Sequence, residues 1–251
     1  MDTTALLVFV AGLLLGGLVN VVVARLPLER GFGGWPRCTR CNRPLAAWQL
    51  LPLVGWLGQR GRARCCGRAL HWVYPLVELL AGVALVAFYL RYGLTVPFFY
   101  LTFVTLVLLM TGAIDWQHRM IYTFFILAPA LVAIVAARFV PGHSLANALV
   151  GALVGGFGFA LLFLLAKVLF PGVAAPFGLG DVYLAIFIGA AVGLTNMLPA
   201  IFWGMVLAAL FSVYLLVQRG RGRPNVPRYI AYGSFLCVGV VAYLIVGGLG
   251  A

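Results

Sequence analysis

Eight apolar runs, separated by short polar stretches, fill most of this chain of 251 residues. They cover roughly Ala5 to Ala24, Trp72 to Leu90, Val96 to Ile114, Ile121 to Ala137, Leu145 to Phe170, Val182 to Thr195, Leu198 to Val217 and Tyr229 to Gly248. Several reach the ~20 residues that a helix needs to cross the hydrocarbon of a bilayer. In that medium the backbone must satisfy its own polar groups, which a helix does segment by segment. The pattern predicts an all-α fold, a polytopic transmembrane helical bundle of about eight spans. The sixth run is short and contains glycine, so it reads as tilted, broken or merged with its neighbour, and seven spans are the alternative.

Residues 26–71 break the rhythm. This interval holds Pro27, Pro36, Pro44 and Pro52, four of the five cysteines and eight of the 17 Lys and Arg residues. It reads as a small loop-rich insert against the membrane surface, where anionic lipid favours arginine. The organisation expected is a first span in residues 1–25, the insert in 26–71 and a membrane-embedded domain in 72–251. No internal repeat stands out.

Composition closes off the soluble alternative. Hydrophobic residues make up 64% of the chain and charged residues 9%, against roughly a quarter charged in an average soluble domain. Too little polar surface remains to cover so large a core. A net charge of +12 is of the kind found in nucleic-acid binders, but the charges are segregated. Nine positive residues lie between Arg25 and Arg68 and four between Arg219 and Arg228. No helix shows a basic face interleaved with aromatics, so nucleic acid is not the expected partner. With the N-terminus outside, only Arg91 and Arg138 fall on the outer side, as the positive-inside rule requires, and the insert is cytoplasmic. The first run carries its positive charges after the apolar segment and lacks a basic leader, so it reads as an uncleaved span and not as a signal peptide.

The insert carries Cys38-Thr39-Arg40-Cys41 and, after 23 intervening residues, Cys65-Cys66-Gly67. Two thiol clusters on a cytosolic segment too small for its own core point to structural zinc, with the metal supplying folding energy that burial cannot. A reducing cytosol disfavours a disulfide. The second cluster is irregular, because a regular C-x-x-C would need cysteine at Ala63. The ligand set expected is Cys38, Cys41, Cys65 and Cys66, with His71 as a further candidate for the fourth place. The alternative is a degenerate knuckle whose halves point apart. Cys237 lies within the last run and reads as a buried small apolar residue.

The chain has five acids. Asp2 reads as solvated, and Glu29, among the arginines of the insert, as a surface ion pair. Glu78, about two turns into the second run, is expensive there and should face the protein interior. Asp115 ends the third run and Asp181 opens the sixth, in Gly178-Leu179-Gly180-Asp181. Both meet the cytoplasmic boundary at one depth in the topology above. Two carboxyls held close cannot both ionise cheaply, so one keeps its proton while the other activates water. Asp181 could instead be a first-turn residue favoured by the helix dipole; Asp115, at a C-terminal end, is poorly explained that way. Gly178 and Gly180 leave room for a peptide backbone to approach.

Taken in order, Gly16-Gly17-Leu18-Val19-Asn20, the Cys38/Cys41 knuckle, Pro52-Leu53-Val54-Gly55-Trp56-Leu57, Tyr74-Pro75-Leu76-Val77-Glu78-Leu79, Ile114-Asp115, Gly178-Leu179-Gly180-Asp181 and Ile230-Ala231-Tyr232-Gly233-Ser234-Phe235-Leu236 resemble the type IV prepilin leader peptidases, membrane aspartic proteases of the GxGD kind. The resemblance covers nearly the whole length. It implies a bacterial inner-membrane enzyme that cuts the basic leader from prepilins and pseudopilins, and often methylates the new N-terminus with S-adenosylmethionine. It implies Asp115 and Asp181 as the catalytic acids and Cys38, Cys41 and Cys66 among the zinc ligands, with Glu78 an acid available to meet a leader's positive charge. The chain departs from the family pattern at Ala63, Tyr122 and Tyr183, none of which is an acid. Two other readings remain: an ion-coupled transporter, whose acids should be spread through the membrane depth, and a non-catalytic assembly protein on the same scaffold.

Overall fold

The computed structural model describes residues 2–29, 31, 33–169, 178–223, 227 and 230–249. Among them the chain forms α1 (Thr3–Arg25), α2 (Val54–Gly58), α3 (Val73–Tyr92), α4 (Val96–His118), α5 (Thr123–Ala137), α6 (Leu145–Leu169), α7 (Leu179–Gly220) and α8 (Tyr232–Gly247). No strand forms among these residues, and two isolated antiparallel bridges lie in the insert. The fold is all-α. Phe170 and Tyr229, taken from the sequence as ends of the fifth and eighth runs, lie outside the described residues.

Five elements are long and apolar enough to cross a membrane: α1 with its 3₁₀ extension to Leu28, α3, α4, α6 and α7. Helices α5 and α8 are apolar but have 15 and 16 residues, short of the ~20 that a full crossing needs. Outward side chains match a lipid-facing surface: Leu153, Phe157, Leu161, Leu164 and Val168 stand exposed along α6. Together these features describe a multi-pass membrane protein, although the structure does not reproduce eight separate full-length spans.

The sixth and seventh expected spans lie in one 42-residue element, α7, broken at Gly193, where φ is 73° and ψ 168°. L-residues with side chains rarely adopt that backbone, and an added Cβ would also strike the Asn147 side chain. The broken ladder is repaired from neighbouring helices. Asn147 on α6 accepts the Leu194 N–H at 3.0 Å. Asn196 donates to the Val192 carbonyl, and its own oxygen accepts from the Tyr243 hydroxyl of α8 at 2.8 Å. Non-helical backbone at membrane depth survives where protein answers it.

The chain divides into two compact units, Met1–Ile114 and Asp115–Ala251. In the first, α1 packs on α3, and a Cβ on Gly16 would meet Glu78 Cα at 2.6 Å. In the second, α7 packs against α5, α6 and α8. Gly189 faces Gly151 of α6, and Gly204 faces Gly239 of α8, with no room for a side chain at either crossing. Lipid gives apolar side chains no reason to leave it, so association of membrane helices relies on such close backbone contact.

Gly189→Val would place its Cβ on the carbonyl of Gly151. Overpacking costs about 1–3 kcal/mol or more, and detergent-solubilised protein should unfold at a lower temperature, whereas Gly158→Val, with open space at its Cβ, should not shift the transition.

Candidate functional site

Helix α8 starts at Tyr232, and its first N–H groups have no intrahelical partner. Asp115 on α4 answers one of them. Its Oδ2 accepts the Ser234 backbone N–H at 2.7 Å and the Ser234 hydroxyl at 2.9 Å. Asp115 is 7% exposed. A carboxylate at a helix N-terminus is favoured by the dipole, so the acid that ends badly on its own helix begins another one well.

Asp181 occupies the same kind of place. It is the third residue of α7, and its Oδ2 accepts the Gly178 N–H at 3.1 Å. The charge of Asp115 acts on Asp181, and that of Asp181 on the Tyr232 phenol. Arg119, one turn beyond Asp115, acts on Asp115 in turn. Ile121 lies between the two helix starts: a Cβ on Gly180 would meet it at 2.9 Å, and one on Gly233 would meet it at 3.2 Å and Asp115 Oδ2 at 3.0 Å. Beside the acids Trp116 makes edge contacts with Phe211 of α7 and Phe235 of α8. All of these residues belong to the unit Asp115–Ala251.

The insert belongs to the other unit. Its two knuckles are the same structure at an offset of 25 residues. The Cys38 N–H bonds to the Arg43 carbonyl and the Asn42 N–H to the Cys38 carbonyl; likewise the Ala63 N–H bonds to Arg68 and the Gly67 N–H to Ala63. Leu45 to Pro36 and Leu70 to Gly61 repeat the pattern, as do the bridges Arg37 to Pro44 and Arg62 to Ala69. Asn42 and Gly67 both take positive φ. The backbone agrees with the reading of Ala63 as the place of the missing cysteine in a second C-x-x-C. Ala63 therefore stands where Cys38 stands, and Cys65 where Arg40 does.

The four thiols converge all the same. Cys38, Cys41, Cys65 and Cys66 place their sulfurs within 4.8 Å of one another, with Cys41 to Cys65 at 3.2 Å and Cys38 to Cys66 at 3.9 Å. Tetrahedral sulfur ligands ~2.3 Å from a metal lie about 3.8 Å apart, so the group can hold a metal ion. Burial pushes the Cys38 thiol up, but the backbone N–H groups of Cys41 and Arg40 outweigh it and hold it at about 7. Cys65, bound first of all to the Cys41 thiol, is pushed up to about 12. The thiolate of Cys38 is stabilised and that of Cys65 resisted, a state that a bound cation would relieve by displacing the proton. His71 is not in the group; its Nδ1 accepts the Val73 N–H at the start of α3.

Glu78 on α3 has its Oε1 bound by Asn20 of α1 at 3.0 Å and its Oε2 by the Leu53 N–H at 2.7 Å. It lines a cavity of the unit Met1–Ile114.

Two family models match the chain: the bacterial peptidase A24 N-terminal domain over residues 10–92, and the type IV leader peptidase family over residues 101–213. A prepilin leader peptidase/N-methyltransferase of Bacillus subtilis (strain 168) is 30% identical over 92% of this chain and 92% of its own length. The chain belongs to the type IV leader peptidase family. Its relatives of the same description include one from Dickeya chrysanthemi, 32% identical over 95% of this chain and 91% of the relative. Another, from Myxococcus xanthus (strain DK1622), is 32% identical over 88% of this chain and 66% of the relative. No solved structure matches.

For a leader peptidase of this family, the residues read from the sequence fall in the matched segments: the cysteines and Glu78 within 10–92, Asp115 and Asp181 within 101–213. Ser234 falls beyond both, and the sequence reading quoted it within the last motif without giving it a role. Its signal, a hydroxyl in the first turn of an apolar helix, is faint without a partner to bind.

Ser234→Ala removes one of the two bonds to Asp115 and keeps the backbone one. It should cost about 1–3 kcal/mol of stability, measured by thermal unfolding in detergent, while Ser234→Thr retains most of it.

Proposed function

We propose that this chain is a membrane aspartic endopeptidase that removes the leader peptide from type IV prepilins or pseudopilins, with Asp115 and Asp181 as its catalytic acids. The observation that supports the reading is that each acid sits at a helix start, Asp115 at that of α8 and Asp181 at that of α7, each bound by a backbone N–H, with the charge of Asp115 acting on Asp181. One acid holds a proton and polarises the scissile carbonyl. The other takes a proton from the attacking water. The pair titrates as a unit, so neither role is fixed to one residue. Gly178, extended at φ −94° and ψ 159°, and Gly180 keep the approach to Asp181 free of side chains. Family membership and the names of the relatives support prepilins as the substrate class.

In this reading the insert faces the cytoplasm of a bacterium and cleavage takes place at the cytoplasmic face of its inner membrane, as the segregation of positive charge supports. The thiol cluster holds zinc through Cys38, Cys41, Cys65 and Cys66, and the metal ties the two knuckles into one structure. The relatives' second activity extends to this chain as N-methylation of the new N-terminus, for which bound S-adenosylmethionine supplies the methyl group.

Asp181→Asn and Asp115→Asn keep side-chain shape and lose proton exchange. Each should lower cleavage of a purified prepilin in detergent at least about a hundredfold, with the protein still present in the membrane. Cleavage retained in Asp181→Asn would remove that residue from the mechanism.

Purified protein should contain about one zinc per chain by elemental analysis. Cys65→Ser should lose it, and adding Ala63→Cys to that variant should restore it by rebuilding the regular second knuckle. Zinc held equally by Cys65→Ser would show that Cys65 is not a ligand.

A further inference from the structure

In the unit Met1–Ile114, the turn that leads into α2 is bound to the two spanning helices α1 and α3 well inside their ends. Glu78 of α3 accepts the Leu53 N–H at 2.7 Å, and a Cβ on Gly17 of α1 would meet Pro52 Cγ at 3.5 Å. A helix rises roughly 1.5 Å per residue, so Glu78 stands about 7 Å inside the start of α3 at Val73. With 20 residues, α3 is just as long as the ~30 Å of hydrocarbon it has to cross. The depth on α1 follows separately. Its 26 residues from Thr3 to Leu28 reach about 39 Å and overshoot that hydrocarbon by about 9 Å. Gly17 lies about 16 Å before Leu28, so even with the whole overshoot at the insert end it stays about 7 Å inside. Both helices place the turn below the membrane surface.

The polarity of this segment is inverted. Leu51, Val54 and Leu57, three residues apart, are 50%, 57% and 63% exposed, while Gln59 is 9% exposed. Gln59 donates its Nε2 to the Gly55 carbonyl at 2.8 Å and accepts from Gln49 Nε2 at 3.0 Å. Glutamine inside and leucine outside is a poor arrangement in water and an ordinary one in lipid. The backbone fits the same medium, in which protein must answer the polar groups. Pro52 has no N–H, and that of Leu53 is taken by Glu78. The N–H groups of Val54, Gly55 and Leu57 bond to the carbonyls of Pro52, Leu51 and Leu53. A carboxyl within a span is expensive; here it serves the leading N–H of the turn.

The surroundings say what covers the apolar side. Leu14 and Leu18 of α1 are exposed and border the same cavity as Leu51, so the apolar surface of a spanning helix continues onto the insert. Arg60 and Arg62 come just after α2 and are exposed. Across residues 26–71, eight arginines stand against one acid, Glu29. Guanidinium groups bind phosphate oxygens in pairs, and an anionic leaflet attracts basic segments beside its surface. A soluble protein partner would have no access to side chains held at this depth.

We propose that residues 51–58 form a re-entrant foot in the acyl layer, with Leu51, Val54 and Leu57 against lipid tails and Arg60 and Arg62 on the phosphates of anionic phospholipids. The foot goes beyond an insert that rests on the surface, and it pins the thiol-bearing knuckles to the membrane. Nothing in it depends on leader cleavage.

The test uses the full chain in nanodiscs of phosphatidylcholine, with and without phosphatidylglycerol. The photoreactive residue p-benzoylphenylalanine, put in turn in place of Val54 and of Leu57, should on irradiation give adducts with the mass of a phospholipid, joined through the acyl chains. Adducts only with a second copy of the chain, adducts only with residues 115–251, or no adduct at all would overturn the proposal. The first two outcomes would name a different cover. A second measurement needs no unnatural residue. The unaltered chain should unfold at least about 2 °C higher when phosphatidylglycerol is present. Arg60→Gln joined to Arg62→Gln should lose at least half of that shift, and Arg43→Gln, on the first knuckle, should keep it. Equal unfolding temperatures of the unaltered chain in the two lipids, or a shift kept in full by the double variant, would overturn the placement of phosphates on these arginines.

Discussion

The first N–H groups of a helix have no partner of their own, and something outside the helix must supply one. At α8 the Asp115 carboxylate does so through Ser234, and at α7 Asp181 does so for Gly178. The need runs both ways, because a carboxylate in apolar surroundings is costly unless hydrogen-bonded. Each acid and each helix start supplies what the other lacks. The same exchange sets the sequence around them: Gly233 and Gly180 must be bare because Asp115 and Ile121 occupy the space a Cβ would take. The positions of both acids thus follow from ordinary helix capping.

Much of this was legible in the chain. Apolar runs located the helices, and the two acids stood out because so few exist. What escaped had a common cause, namely that the deciding partner was remote in sequence. Periodicity showed a short sixth run with glycine in it. It could not show that Asn147, on another helix, answers the Leu194 N–H at the break. Ser234 is 119 residues from Asp115 and looks like any small residue in an apolar helix. Asn20 was noted as part of a motif, yet its tie to Glu78 appears once α1 lies on α3.

The two compact units divide the chemistry between them. The acids, their helix starts and the aromatic contacts around Trp116 are all supplied by Asp115–Ala251, and the thiols, the cavity and Glu78 by Met1–Ile114. The helices within each unit are brought together by glycine facing backbone, with Gly16 against Glu78 in one and Gly189 against Gly151 in the other. Close backbone contact of this kind fixes spacing without polar side chains, which leaves the few polar residues of so apolar a chain free for function.

The twin knuckles bear on how such a chain can change over generations. Their loops are held by backbone bonds that do not depend on which residue carries sulfur. Cys65 reaches the common centre from the place of Arg40, while the place matching Cys38 holds alanine. If a thiol arose at residue 65 while one still stood at residue 63, the loop would briefly have owned a spare. Either could then be lost without penalty. A cluster of thiols built on a repeated backbone can thus exchange one of its members in two steps, and the spelling of the motif drifts while its shape stays.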